Sequence, residues 1–227
     1  KAQKFSETAS GNSVTITTSS ATDTFTNTGD WIVSNSSDAL LTFSVSLSNN
    51  QRSATITGLP NGAVEILTSI RRANGKVRQK TLTEATVTST LDSDGQGRKY
   101  ISLNKSDIYD VLRVRTNDSD GENASSFFYL DPGQRETHYD DGRMIYSGGL
   151  DSDGVNVFVR YRYFAHGDGD FFAVNSYDGQ LEYQDIPSFR DNAGNNVSLR
   201  NVLDFRPATN GLGTFTVVND LPQPTGL

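Results

Sequence analysis

Leu41-Thr42-Phe43-Ser44-Val45-Ser46-Leu47 sets four apolar side chains on one side of the chain and three hydroxyls on the other. Side chains alternate across a β-strand with period two, so this stretch reads as a strand with one buried and one wet face. The pattern repeats outward. Upstream stand Val14-Thr15-Ile16-Thr17 and Asp30-Trp31-Ile32-Val33, the latter a core strand carrying Trp31, the sole tryptophan. Downstream, Asn49-Asn50 marks a turn and Ser53-Ala54-Thr55-Ile56-Thr57 the next strand. Short strands at intervals of about 8–12 residues, separated by turn signals, predict a β-sandwich. Arg72-Ala73-Asn74-Gly75-Lys76 reads as a hairpin turn, because Asn-Gly suits the positive φ of a type I′ turn.

The second half is richer in aromatics. Arg98–Leu103, Val111–Arg115, Phe127–Leu130, Val155–Phe164, Phe171–Val174 and Leu181–Tyr183 read as strands. Asp131-Pro132-Gly133-Gln134 is a turn, with proline setting φ and glycine following it. Two short helices are expected. One follows a capping signal over Asn104–Val111; the other spans Ser198–Phe205, where Leu199, Val202 and Leu203 share a helical face. The expected architecture is mostly β. A β-sandwich over residues 1–90 is followed by a β-rich domain with one or two short helices over 91–212, and then by a strand and linker over 213–227.

Composition excludes several functions. The 227 residues carry a net charge of −7, which argues against nonspecific nucleic-acid binding, since that needs clustered lysine and arginine. There is no cysteine, so disulfides and thiolate metal sites are excluded. No apolar run approaches the roughly 20 residues of a membrane helix, and membrane insertion is not expected. Lys1-Ala2-Gln3-Lys4 opens without a signal-peptide pattern or a methionine, and reads as the start of a segment or processed product.

Three tetrapeptides repeat: Asp92-Ser93-Asp94-Gly95, Asp118-Ser119-Asp120-Gly121 and Asp151-Ser152-Asp153-Gly154. Alternating carboxylates before glycine open a calcium loop of the EF-hand type, making Asp92, Asp94, Asp118, Asp120, Asp151 and Asp153 calcium candidates. The twelfth positions are Leu103, Tyr129 and Arg162, so no copy supplies the closing bidentate acid. Polar turns are therefore the preferred reading, with no metal or cofactor expected. His138 and His166, the only histidines, lie near aspartates, but nothing fixes a third ligand.

No catalytic residue is nominated. No nucleophile elbow, phosphate loop or zinc-helix motif is present, and acid pairs such as Glu182 and Asp185 mean little among 27 acids. The basic run Arg71, Arg72, Lys76, Arg78 and Lys80 reads as a solvated face.

Ile56-Thr57-Gly58-Leu59-Pro60-Asn61-Gly62, followed by an alternating strand, resembles the E-to-F corner of fibronectin type III and related Ig-like sandwiches. The resemblance implies that Leu59 sits in the core beneath the corner. The family's corner tyrosine would fall near Val64, so its hydrogen bond is missing.

A longer resemblance runs through the second half. Its segments are Phe128–Arg135, Tyr163–Phe172, Val174–Tyr177 and Tyr183–Phe189, leading to Leu199–Pro207 with Asp204-Phe205-Arg206-Pro207 at its close. This order resembles the Asp-Phe-Arg-Pro box module of large virion structural proteins from contractile-tailed phages. The resemblance implies a non-enzymatic assembly and spacer module of a tail, baseplate or tail fibre, assembled in the host cytoplasm. Its expected partners are other virion subunits or further copies of itself. Within the box, Phe205 is expected to anchor in the core, Arg206 to pair with Asp131 or Asp204, and Pro207 to stop the segment. Two other readings compete. One is a receptor- or carbohydrate-binding module using Tyr161, Tyr163, Tyr177 or Tyr183 as a platform. The other is a calcium-stiffened adhesin domain.

Overall fold

The computed structural model describes residues 2–150 and 154–208. Contacts divide them into two units, residues 2–75 and 76–208. Both are built from antiparallel strands, with 3₁₀ turns of three or four residues in a few of the connections.

The first unit holds β1 (Ala2–Ala9), β2 (Ser13–Thr17), β3 (Thr24–Phe25), β4 (Ile32–Asn35), β5 (Ser44–Leu47), β6 (Ser53–Thr57) and β7 (Gly62–Arg71). β7 is the hub of one sheet, pairing with β1, β4 and β3. The other sheet runs β2-β6-β5. Val64, Ile66, Thr68 and Ile70 form the buried face of β7 at period two, and they meet Val14, Ile16, Ala54 and Ile56 from the second sheet. Phe25 and Trp31 complete this core, with ring centroids 5.2 Å apart. The Trp31 indole N–H donates to the Thr26 carbonyl at 3.3 Å, which satisfies the one polar atom of a buried ring. β5, an edge strand, leaves Val45 and Leu47 half-buried rather than sealed. Leu59 is fully buried, and its N–H and that of Gly58 both donate to Asn12 O. Gly58 lies at φ +87°, a conformation that glycine adopts without the clash of a Cβ.

The second unit holds β8 (Lys80–Ser89), β9 (Asp92–Ser93), β10 (Lys99–Ser106), β11 (Ile108–Thr116), β12 (Phe128–Asp131), β13 (Asp141–Tyr146), β14 (Val157–His166), β15 (Ser188–Arg190) and β16 (Asn196–Ser198). One sheet runs β12-β13-β10-β9 and another β11-β14-β8, while β15 and β16 form a hairpin. Ile101, Leu103, Phe128 and Met144 of the first sheet pack against Val114, Val157, Val159 and Tyr161 of the second. A second cluster of Phe164, Tyr177, Ile186 and Leu199 extends the core beneath the irregular chain after β14.

Several expectations change. Arg72–Lys76 is not a hairpin: β7 pairs with β1, β3 and β4, while β8 pairs with β14 over its whole length, from Lys80↔His166 to Ser89↔Val157. Residues 76–90, expected in the first domain, thus belong to the second unit. The expected helix over Asn104–Val111 is two strands joined at Asp107, which has φ 56°. That single residue passes the chain from one sheet to the other, and the β-branched Ile108, Val111 and Val114 pair along β14. Strand pairing outweighs the local capping signal here. Of the Ser198–Phe205 helix only a 3₁₀ turn, Leu199–Asn201, forms. Phe171 and Phe172 make single bridges, to Val77 and Asp204, instead of a strand, and Tyr183–Asp185 is a 3₁₀ turn. The strand and linker expected over 213–227 lie outside the described residues.

Candidate functional site

In the second unit, one end of the β11-β14-β8 sheet gathers a buried charged cluster. Lys80, first residue of β8, is the register partner of His166, last residue of β14, so both side chains leave the sheet on one face. Asp107, just before β11, is held beside them because its carbonyl accepts the Phe164 N–H at 3.0 Å. The side chains of Lys80 and Asp107 are 0% and 1% exposed, and Nζ lies 2.6 Å from Oδ2. The same oxygen meets His166 Nε2 at 2.7 Å, and Gln134 Nε2 donates to Oδ1 at 2.7 Å. An ionised Asp107 only accepts, so His166 carries its proton on Nε2. Among the described residues its Nδ1, a buried lone pair, then has no partner.

A second layer adjoins the first. The Tyr139 hydroxyl accepts from Lys80 Nζ at 3.0 Å and from Arg206 Nη2 at 3.0 Å, and donates to Asp204 Oδ2 in a short bond. Arg206 grips Asp204 through Nε at 3.0 Å and Nη2 at 2.8 Å, and donates through Nη1 to the Arg135 carbonyl at 2.7 Å. Aromatic rings wall the cluster. The centroids of Phe172, Tyr139, Tyr177 and Phe164 lie 4.6, 4.7, 5.0 and 5.6 Å from Lys80 Nζ.

Burial and charge compete at each group. Burial pushes the Lys80 amine below its usual value, although Asp107 pulls the other way. Burial raises Asp107, but the Lys80 charge and the His166 and Lys80 hydrogen bonds more than offset it and hold the carboxyl down to about 2. Burial lowers His166, keeping the imidazole neutral near neutral pH. Asp204 stays below its ordinary range because Arg206 and Tyr139 outweigh its burial. Lys80 and Arg206 thus balance Asp107 and Asp204, with His166 uncharged. Four charges held in a low-dielectric interior survive only through such pairing.

The residues singled out by sequence distribute unevenly. Arg206 does pair with Asp204; Asp131 instead holds Arg135, at 2.9 and 2.8 Å. Phe205 is not a core anchor. It is 54% exposed, beside Phe171, because the Phe172–Asp204 bridge turns Asp204 inward and alternation turns Phe205 out and Arg206 back in. Pro207 is buried, and its carbonyl accepts the Tyr139 N–H at 2.8 Å. Trp31 and Leu59 lie in the core of the first unit. The basic run is not a solvated face throughout: Lys80 is sealed, and Arg72 donates to the buried Asp23 at 3.1 and 3.0 Å. Nothing in the local sequence marks Lys80, Asp107 or Tyr139 as site residues, and the aspartates near His166 suggest only a metal ligand.

The Asp-Ser-Asp-Gly copies at 92–95 and 118–121 are turns. Asp94 Oδ1 accepts the N–H groups of Gln96 and Arg98, and Asp118 Oδ1 that of Asp120. Asp92 is the first residue of β9, paired with Tyr100 at the base of the first turn, and Asp120 lies within the second, while Asp151 and Asp153 lie outside the described residues. Among the described residues no three His, Asp or Glu side chains converge as a metal site. Of the proposed sugar platform, Tyr161 and Tyr177 are core residues, Tyr163 is half-buried, and Tyr183 is exposed with the Arg200 guanidinium 5.5 Å from its ring.

A shallow cleft elsewhere on this unit is lined by Asp94, Tyr100, Tyr129, Asp131 and Arg143. Tyr129 is 56% exposed there, and the Arg143 guanidinium covers Tyr100 at 4.7 Å. No family model, curated protein or solved structure matches the chain.

Proposed function

We propose that the chain is a non-enzymatic structural module of a contractile-tailed phage particle, acting as an assembly and spacer element in the tail, baseplate or tail fibre. One observation carries this reading. The segments that resemble the Asp-Phe-Arg-Pro box module meet in the second unit: His166, Phe172, Tyr177, Asp204 and Arg206 all enter the same buried cluster. Its ionisable groups are spent on internal ties and sealed from substrate, as suits a part that must hold its shape. Its partners are neighbouring virion subunits or further copies of the chain, met in a particle assembled in the host cytoplasm. A cryo-EM map of the particle tests this. Density for both β units in the tail or baseplate, packed against other subunits, supports the assignment; a particle whose full density accommodates no copy of the chain overturns it.

The cleft at Tyr129 favours a second reading, a receptor- or carbohydrate-binding module. An exposed aromatic ring beside Asp94, Asp131 and Arg143 offers the stacking face and hydrogen-bonding groups that sugars require. Binding to a glycan array that is lost in Tyr129→Ala supports it; an array with no binding rejects it.

A further inference from the structure

Lys80 and Asp107 are set for a reaction with each other. An amine and a carboxyl condense when both are neutral, close and shielded from the water that would reverse the step. Lys80 Nζ and Asp107 Oδ2 stand 2.6 Å apart, neither side chain is more than 1% exposed, and four aromatic rings surround the amine. Desolvation acts against both charges, so one proton passing from Nζ to Oδ2 discharges the pair at once. Such proximity stands in for a high effective concentration.

The surrounding groups match the needs of acyl transfer. Gln134 Nε2 donates to Oδ1, the oxygen on which charge collects when nitrogen adds to the carboxyl carbon. His166 Nε2 donates to Oδ2, the oxygen that must depart. Tyr139, within 3.0 Å of Nζ and bonded to Asp204, offers the amine proton a path away. Asp107 is at φ 56°, an uncommon conformation for a residue with a Cβ, so its carboxyl is aimed by a backbone held in place.

We propose that Lys80 and Asp107 condense within the folded chain to form an intramolecular isopeptide bond. The amine lone pair forms a bond to the Asp107 carboxyl carbon, giving a tetrahedral adduct whose Oδ1 rests on Gln134. The nitrogen loses a proton to the Tyr139–Asp204 side. The proton taken up on that side returns to Oδ2 as the C–O bond breaks and water leaves, while the His166 Nε2–H group holds the departing oxygen by its hydrogen bond. One C–N bond forms, one C–O bond breaks, and no electron is gained or lost. The amide replaces one buried positive and one buried negative charge, so the balance with Asp204 and Arg206 is kept. It joins the start of β8 to the start of β11, the two strands flanking β14, across the end where His166 lies. This inference stands independently of the phage assignment.

Intact mass spectrometry of the purified, folded 227-residue chain tests it. The expected mass lies about 18 Da, one water, below the sequence value. Proteolysis is expected to give a branched peptide joining Lys80 to Asp107, absent in Lys80→Arg. Asp-Gly steps such as Asp94-Gly95 lose the same mass on succinimide formation, so location decides. A loss confined to Asp-Gly peptides, with Lys80 and Asp107 in separate unmodified peptides, overturns the proposal. So does an unchanged mass in a chain that melts cooperatively. His166→Phe is expected to leave a measurable unlinked fraction that decreases with incubation.

Discussion

Asp204 and Arg206, two residues apart, grip each other through both carboxylate oxygens, Nε to Oδ1 at 3.0 Å and Nη2 to Oδ2 at 2.8 Å, while Tyr139 touches both. The exposed Phe205 between them takes no part. Breaking a buried pair by removing one partner strands the other charge. Arg206→Met is therefore expected to destabilise the second unit by about 3–5 kcal/mol. Arg206→Lys should not restore it, because an ammonium cannot hold Asp204 by two bonds and also reach the Arg135 carbonyl. Urea denaturation followed by near-UV circular dichroism checks both.

Exposure separates two hydrophobic residues that the sequence reading placed in the core. Leu59→Ala empties a sealed position and should cost about 2–5 kcal/mol. Phe205→Ala, at a 54% exposed site, should cost less than about 1 kcal/mol. Thermal melts of the two variants give the comparison.

Two glycines in turn-like sequence differ in the same way. A Cβ on Gly133 would lie 2.0 Å from the Asp140 carbonyl oxygen, at φ +79°, whereas Gly95 has open space. Gly133→Ala should lower stability by at least about 1–3 kcal/mol, and Gly95→Ala should leave it within about 0.5 kcal/mol. The same denaturation series measures both.

Acid should weaken the second unit in two stages. Burial holds His166 below 6.5, so the unfolded chain binds its proton first, and stability is lost as pH falls below that value. Asp107 opposes this by favouring the imidazolium, while Lys80 and Arg78 reinforce it. Asp204 is depressed below 3.8 in the fold, so its contribution is present above that value and lost as pH falls further. Unfolding midpoints measured from pH 8 to pH 3 (a span of about five units) should show both declines, and His166→Phe should flatten the upper one.

Much of the fold was legible because strand alternation is a local signal. Val14–Thr17, Ser53–Thr57 and most of Val155–Phe164 become strands, since each alternates apolar and other side chains along its own length. The Asn104–Val111 helix failed because a cap and a few spaced apolar residues are also compatible with two strands meeting at Asp107, and only the partner β14 decides between them. The Asp204–Arg206 pair was accessible because the residues are neighbours. The Lys80–Asp107–His166 cluster was not: its members are separated by 27 and 59 residues.

By itself the sequence determined a mostly β chain, its strand alternation, its cysteine-free chemistry and its acidic balance. These follow from residue type and local spacing. Only the tertiary structure decided that β8 leaves β7 for β14, that Phe205 faces outward while Arg206 is buried, and that Lys80 lies sealed against Asp107. Burial and strand partnership depend on which distant segment covers a residue, and the free energy of an ion pair depends on whether water has been excluded around it.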